Sequence, residues 1–538
     1  GVSISSNGGI GQTSSVYLRG MDSKRTLVLI DGVRYNDITT PNGAANFEHL
    51  MINDIERIEV IKGAQSSIWG ADASAGVINI ITKSAQDGTH GNASFEYGRY
   101  DTKIAKANIS HKNENFDAKL SATRVDTDGF SAKASKSSEA KNYEDDGYEN
   151  TTANLKLGYN FDDSNRVSTS YEVIDTKVNF DSTTPDDKIN EANTLTHLAN
   201  LTYENRNDIA LTKVYTNYTE IKRDSKRSSG TSNFRGKVKE YGLNTSIDYL
   251  SSSNVTMGAD YKDFEDKEMS KDYDNKGIFI SNTNKFFDDK TIFTQALRYD
   301  RYSDFENKTT GKIGIKQYII DDLNISANYG TGYNVPTIYQ LFEPAQDWGS
   351  GPSPVGNPNL EPEKTKSYDI SIAYEGFSVT YFNTKIKDLI DYNYATWTYD
   401  QMSGTSKLKG TEIAYKNEVI EDIFLNLSYT NLSAKDAKGD KLLNRPKNKF
   451  NFGVDYYGLK DFHFNINGEY IGTRYDKVNK KGASTGNYTI WNAVVDYDIS
   501  KNFSTYLKLD NIFNKDYQIV DGYATSQRAA FVGLKASF

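Results

Sequence analysis

Carboxylates crowd two short stretches of the chain. Asp126, Asp128, Glu144, Asp145 and Asp146 precede Asp181, Asp186 and Asp187, with Gly129 and Gly147 among them. Hard cations such as calcium take roughly six to eight oxygens, mostly from carboxylates, and glycine permits the tight bends that converge them. The alternative is a set of solvated loop carboxylates, common in any acidic chain. Small residues gather between Asp37 and His49, where Pro41, Asn42, Gly43, Ala44, Ala45 and Asn46 let backbone groups approach a bulky ligand. Covalent chemistry has little to work with. The absence of cysteine removes disulfides, thiolate metal sites and thiol nucleophiles together. Few histidines are left from which to build a triad or a zinc site, so an enzyme is not expected.

The elements that must position these groups change character near residue 85. Before it, from Val16-Tyr17-Leu18-Arg19-Gly20 to Gly76-Val77-Ile78-Asn79-Ile80-Ile81-Thr82, strands read apolar on both faces, as burial on both faces requires. After it, short strands alternate apolar and polar down to Phe538. Alternation in a chain this polar suits strands with one face on lipid and the other on a wet lumen. The expected organisation is a small α+β plug over residues 1–85 and an all-β transmembrane barrel over residues 86–538.

Composition agrees. A hydrophobic fraction of 37% and a mean hydropathy of −0.66 leave no run near the roughly 18 apolar residues of a spanning helix. A barrel needs only every second residue on lipid. The chain has 38 tyrosines and 25 phenylalanines but 9 prolines, which favours paired strands with aromatic girdles. A net charge of −9 argues against nucleic acid as a partner. Gly1 opens in mid-domain without an initiating Met, so a preceding segment is expected.

Two hairpins show the alternation plainly. Leu155, Leu157, Tyr159 and Phe161 share a face, Asp162 to Asn165 turn, and Val167, Thr169, Tyr171 and Val173 return. Phe450, Phe452, Val454 and Tyr456 lead to a turn near Gly458 and Lys460, and Phe462, Phe464, Ile466, Gly468 and Tyr470 come back. Period two on both sides of a turn marks an antiparallel hairpin with one apolar face. Short turns alternate with long polar segments, expected at Lys222–Lys237, Ala345–Pro362 and Asp476–Gly486. At about 20 residues per strand and connection, the barrel reaches about 22 strands, wide enough to hold a plug.

The first segment now carries a specific resemblance. Ser14 to Gly20, Leu27-Val28-Leu29-Ile30-Asp31-Gly32-Val33-Arg34, Arg57-Ile58-Glu59-Val60-Ile61-Lys62-Gly63 and Gly76 to Ile81 resemble the plug of TonB-dependent outer-membrane receptors. Gly332-Tyr333-Asn334-Val335-Pro336, Gly356-Asn357-Pro358-Asn359-Leu360-Glu361-Pro362-Glu363 and Asp510 to Tyr517 resemble segments of their barrels. Asn7 to Gln12, Gly472 to Lys477, Gly522-Tyr523 and Arg528 are similar to the family's cobalamin transporters. The resemblance implies capture of a scarce ligand by outer loops and plug apex. A periplasmic energy protein, TonB with ExbB and ExbD, would then pull on a TonB box preceding the plug. The implied setting is a monomer in outer-membrane lipid of a bacterial cell.

The resemblance also names residues. Calcium-ordering ligands map onto Glu144, Asp146 and Asp181, and further onto Asp128 and Asp187, with Phe180 able to add only its carbonyl oxygen. Ligand contacts fall at Thr13, Ser15, Asp22, Pro41, Asn42 and Gly43 on the plug and at Ser182 and Arg445 on the barrel. Arg19, Arg34, Arg57 and Lys62 are expected to pair with carboxylates on the barrel wall, and His49 to pack against it. A ferric siderophore receptor stays open as the alternative, although acidic loops fit anionic siderophores less well. A haem receptor is disfavoured, because the stretch between Val335-Pro336 and Asn357-Pro358 holds no histidine.

Overall fold

The computed structural model describes residues 1–51, 54–182, 184–250, 252–347, 352–393, 395–476 and 482–538. Strands of residues 88–537 hydrogen-bond in sequence order into one closed barrel of 22 antiparallel strands. Closure joins the last strand, Ala529–Ser537, to the first, Gly88–Gly98, and Phe538 and Gly91 exchange both backbone hydrogen bonds at 3.1 and 3.0 Å. A closed sheet has no free edge, which is what spanning lipid demands of strands.

Side-chain alternation sorts the two faces. Leu155, Tyr159, Phe161, Val532, Leu534 and Phe538 are exposed on the outside, while Asn150, Asn154, Thr196 and Thr219 are buried inside against polar neighbours. Two-residue tips and tight turns close one end, as at 161–164. The other end carries the long connections. The 222–237 segment is a correction to the sequence reading. It forms no loop: strands Ala210–Arg227 and Gly230–Tyr249 extend beyond their neighbours and meet at a tight turn. Its alternating charged residues are compatible with a strand once both faces meet water. Of the other two segments, residues 348–351 and 477–481, Lys477 among them, lie outside the described residues.

The plug fills the bore. Strands β1 (Val2–Ser6) and β2 (Ser14–Leu18) form a hairpin. Strands β3 (Thr26–Ile30), β4 (Val33–Arg34), β5 (Ile55–Lys62) and β6 (Gly76–Thr82) form a sheet in the order β4-β3-β6-β5, with β3 and β6 parallel. β3 is wholly buried, and Val28, Ile30, Ile78 and Ile80 share one core with Phe382, Leu408 and Leu432 of the wall. β5 departs from the expectation of burial on both faces. It is an edge strand with one partner, and Ile58, Val60 and Ile61 are exposed.

Ion pairs fix the plug to the wall. Arg19 reaches Asp369 at 3.0 Å and Glu412 at 3.3 Å, and Lys62 reaches Glu412 at 3.2 Å, as expected. Arg25 makes a buried two-pronged pair with Glu363 at 2.7 and 2.8 Å. In the other direction, Lys119 and Lys156 of the wall reach Asp54 and Asp31 of the plug at 2.5 and 3.0 Å. Two expected pairs are wrong. Arg34 pairs with Asp72 inside the plug, and Arg57, on the exposed edge strand, pairs with Glu56 and Glu59 beside it.

Candidate ligand-binding site

The plug apex, the β1–β2 hairpin tip and the acidic connections all lie at the long-loop end. The apex is held by its own polar groups. The Asp37 carboxylate is fully buried and accepts from the Thr39 amide and hydroxyl at 2.9 and 2.7 Å and from Arg223 of the wall at 2.8 Å. Asn36 donates to the carbonyls of Thr26 and Gly43 at 3.0 and 3.1 Å. Thr337, which caps the short helix α1 (Ile338–Phe342), donates to the Pro41 carbonyl at 3.4 Å. Gly43 sits at φ +58°, where a side chain is strained. The result is a braced loop that leaves Asn42 exposed and Pro41 and Gly43 half-buried.

The hairpin tip stands next to the second acidic connection. Gln12 donates to the Asn179 carbonyl at 2.6 Å, which leaves Thr13 exposed and Ser15 half-buried beside it. Asp22 and Arg445 meet each other rather than open water. Asp22 bridges Arg25 at 2.5 Å and Arg445 at 3.5 Å, and these cations hold its carboxyl at about 2 against the opposing effect of burial. Arg445 also donates to the Gly20 carbonyl at 2.9 Å and lies 4.5 Å above the Tyr17 ring. Its guanidinium is thus engaged by the plug.

The acidic connections fold around residues 131–133. Asp146 accepts from the Ala132 amide at 2.6 Å, and Asp181 from the Lys133 amide at 2.8 Å and the Ser131 hydroxyl at 3.1 Å. Asp187 accepts from the Ser182 amide and hydroxyl at 3.0 and 3.1 Å, and these bonds hold it at about 2. Burial, then neighbouring carboxylates, push Glu144 up to about 8 and Asp146 up to about 7. Both oxygens of Glu144 are withdrawn from solvent without a hydrogen-bond partner. Among the described residues no three carboxylates meet closely enough to share a cation. Asp128 is exposed and its electrostatic neighbour is Asp145. The Phe180 ring lies 5.5 Å beneath the Arg227 guanidinium.

His49 packs against the wall, 3.2 Å from the Tyr148 hydroxyl and parallel to its ring. Burial, reinforced by Arg223, pulls His49 down to about 4, whereas burial lifts the adjacent Glu48 to about 7. The two titrations oppose each other. A raised acid loses stabilisation as pH rises from about 4.5 to 7, and a lowered histidine gains it from about 4 to 6.5. Glu48→Gln removes the first, so plug docking should strengthen steadily across the histidine range, with Asp37 opposing only weakly. Hydrogen exchange of residues 44–50 against pH checks this, and a flat profile would contradict it.

Arg223, Glu363 and Tyr148 escaped the sequence reading, since only the barrel's closure brings them to the plug. Gly482-Ala483-Ser484-Thr485-Gly486 also escaped it, and has the spacing of a nucleophile elbow. Ser484–Thr485 instead forms a two-residue strand with Arg474–Tyr475, without the strand-to-helix turn that the chemistry needs.

The chain is 26% identical over 567 residues to the vitamin B12 transporter BtuB of Vibrio cholerae serotype O1, strains O395 and M66-2, covering 100% of this chain and 88% of theirs. The crystal structure of the siderophore receptor PirA from Acinetobacter baumannii superposes with a TM-score of 0.85 at 18% identity, covering 100% of this chain and 94% of that one. The ferric enterobactin receptor PfeA from Pseudomonas aeruginosa gives 0.81 at 17% identity, over 100% and 94% of the two chains. At these identities the structures speak for the fold alone. Residues 1–77 match the TonB-dependent Receptor Plug Domain. Residues 79–512 match the TonB dependent receptor-like beta-barrel, so this chain, with its bore stoppered by its own leading residues, belongs to the TonB-dependent receptor family and is a transporter.

Proposed function

We propose that the receptor imports a large, weakly charged metal chelate, cobalamin or a related corrinoid, across the outer membrane. The carrying observation is the charge state of the bowl. Three of its arginines are already answered, Arg223 by Asp37, Arg445 by Asp22 and Arg235 by Asp224, while Arg227 lies over the Phe180 ring. What stays open is backbone and short polar groups at Asn42 and Thr13, which suit amide side groups better than an anion. The full-length likeness to a vitamin B12 transporter supports the same reading. In it, calcium would draw Glu144, Asp146 and Asp181 together and so order the loops, and TonB, driven by ExbB and ExbD, supplies the work. Opening would proceed on the side where a cavity of about 570 Å³ separates Asp54, Thr82 and Lys83 of the plug from Lys106, Asn154 and Glu172 of the wall.

A ferric siderophore is the second reading, and a specific feature favours it. Tyr339, Tyr392 and Tyr399 pack edge to face at 6.2 and 5.1 Å beside α1, forming a platform for an aromatic chelator. Titration with cyanocobalamin, haem and several ferric siderophores, with and without a calcium chelator, decides between them. We expect nanomolar cyanocobalamin binding that weakens on chelation. No binding at micromolar ligand would reject the corrinoid, and indifference to chelator would reject calcium.

A further inference from the structure

Outward-facing lysines elsewhere on the barrel are answered by carboxylates: Lys103 by Asp101 at 2.7 Å, Lys177 by Glu191 at 2.9 Å and Lys239 by Asp263 at 3.3 Å. One sector is different. Across the strands Glu363–Tyr374, Phe377–Asn393, Thr398–Ile420 and Ile423–Lys435, the register sets Lys366 opposite Lys385, Lys385 opposite Lys407 and Lys407 opposite Lys435. At about 4.8 Å between strands, this is an unbroken row roughly 14 Å long. Lys364 and Lys387 face each other one step further out, and Lys409 lies beside the row. All are exposed, and among the described residues only Lys364 has a carboxylate partner, Glu306 at 3.3 Å.

These lysines face away from the bore. On the same strands Asp369 and Glu412 point inward to Arg19, and Phe382, Leu408 and Leu432 pack in the plug core. The row's face continues into Tyr368, Ile370 and Ile372, which are exposed. Tyr368 and Tyr381 contact at 6.3 Å on neighbouring strands, two residues below Lys366. Two residues rise about 7 Å. Tyrosines of a girdle mark the membrane interface, so the ammonium groups stand at headgroup height, toward the long-loop end.

Like charges directly opposite each other destabilise a sheet. Four in register, without carboxylate partners among the described residues, call for an external anion, which lipid headgroups at that height would supply. We infer that this lysine row is a binding site for phosphorylated lipid headgroups of the leaflet on the long-loop side. Phosphates on neighbouring sugars or lipids would each bridge two lysines through charge-assisted hydrogen bonds, while the tyrosines below pack on the acyl chains. The inference rests on the outer-membrane placement proposed above. It does not depend on which chelate is transported.

The test places the full chain in phosphatidylcholine nanodiscs doped with diphosphoryl lipid A, with lipid binding counted by native mass spectrometry and no chelate present. Lys366→Gln/Lys385→Gln/Lys407→Gln should lower lipid A affinity roughly tenfold or more. A control, Lys103→Gln/Lys177→Gln/Lys239→Gln, should change it little. Binding should weaken with salt and vanish with dephosphorylated lipid A. The lipid-free melting temperature of the glutamine variant should not fall, because repulsion is removed. Should that variant misfold, Lys366→Arg/Lys385→Arg/Lys407→Arg keeps the charge and should keep the lipid. Equal binding by wild type and glutamine variant, survival of binding after dephosphorylation, or inorganic phosphate competing as well as the lipid would each overturn the site. Because no chelate is present, a failed cyanocobalamin titration and a failed lipid experiment are separate results.

Discussion

Glu363→Ala should release the plug from a barrel that still forms. Glu363 is 1% exposed and its partner Arg25 2%. Its two oxygens accept from Arg25 at 2.7 and 2.8 Å, and one of them also from the Ile390 amide at 2.7 Å, with Lys24 at 3.5 Å. Deleting the carboxylate strands a guanidinium and an ammonium out of water. Only Asp22 and the Ile390 carbonyl, 2.7 Å from Lys24, then remain to face them. Breaking a buried pair from one side costs about 3–5 kcal/mol. The cost falls on docking, since Arg25 and Lys24 belong to the plug and regain water when it loosens. The undocked fraction should therefore rise roughly a hundredfold or more, at 1.4 kcal/mol per decade. Protease nicking within residues 1–85 and bilayer conductance should both increase, while barrel melting holds. Replacing both partners, Arg25→Met/Glu363→Met, should recover part of the loss, because the stranded guanidinium is gone while Lys24 keeps the Ile390 carbonyl and Asp22 keeps Arg445. Unchanged nicking in Glu363→Ala would mean that this pair does not hold the plug.

The barrel was legible in the sequence because alternation is a local signal. Leu155 to Phe161 and their return strand need only turn chemistry and period two to declare a hairpin. The segment 222–237 shows where that signal fails. Polar residues on both faces look like a loop, yet a strand projecting past the membrane is wet on both sides and still pairs. β5 fails in the opposite sense: Ile58, Val60 and Ile61 look like core, but a strand paired on one side only leaves them exposed. Charged plug residues were legible only in part. Arg19 and Arg34 have the same apolar surroundings in sequence, and nothing local says that one meets Asp369 and the other Asp72. The candidate site suffers most from this, since its pairs join residues such as Asp37 and Arg223 that only ring closure brings together. The lysine row is invisible in sequence for the same reason. Lys366, Lys385, Lys407 and Lys435 are unremarkable singly, and register alone makes them a line.

Gly129→Ala should weaken ligand binding without unfolding the molecule. Gly129 lies between Asp128 and the hydrogen-bonded segment 131–133 at φ +68°, a region that costs an alanine about 1–2 kcal/mol. Its added methyl would lie 2.2 Å from the Asp146 carbonyl oxygen, and backbone rather than a flexible side chain would have to give way. Overpacking of that kind costs a further 1–3 kcal/mol or so. The strain falls on the bend that sets Asp146 against Ala132, and so on the acidic cluster and the Ser182 loop it supports. If those loops cover the chelate, cyanocobalamin affinity should drop about tenfold to a hundredfold, and added calcium should restore less of it than in the wild type. The barrel's melting temperature should barely move, since this connection lies beyond the last paired residues of its strands. Loss of affinity with an intact calcium response would place the fault in loop shape alone. Full affinity in the variant would show that the acidic connections take no part in holding the ligand.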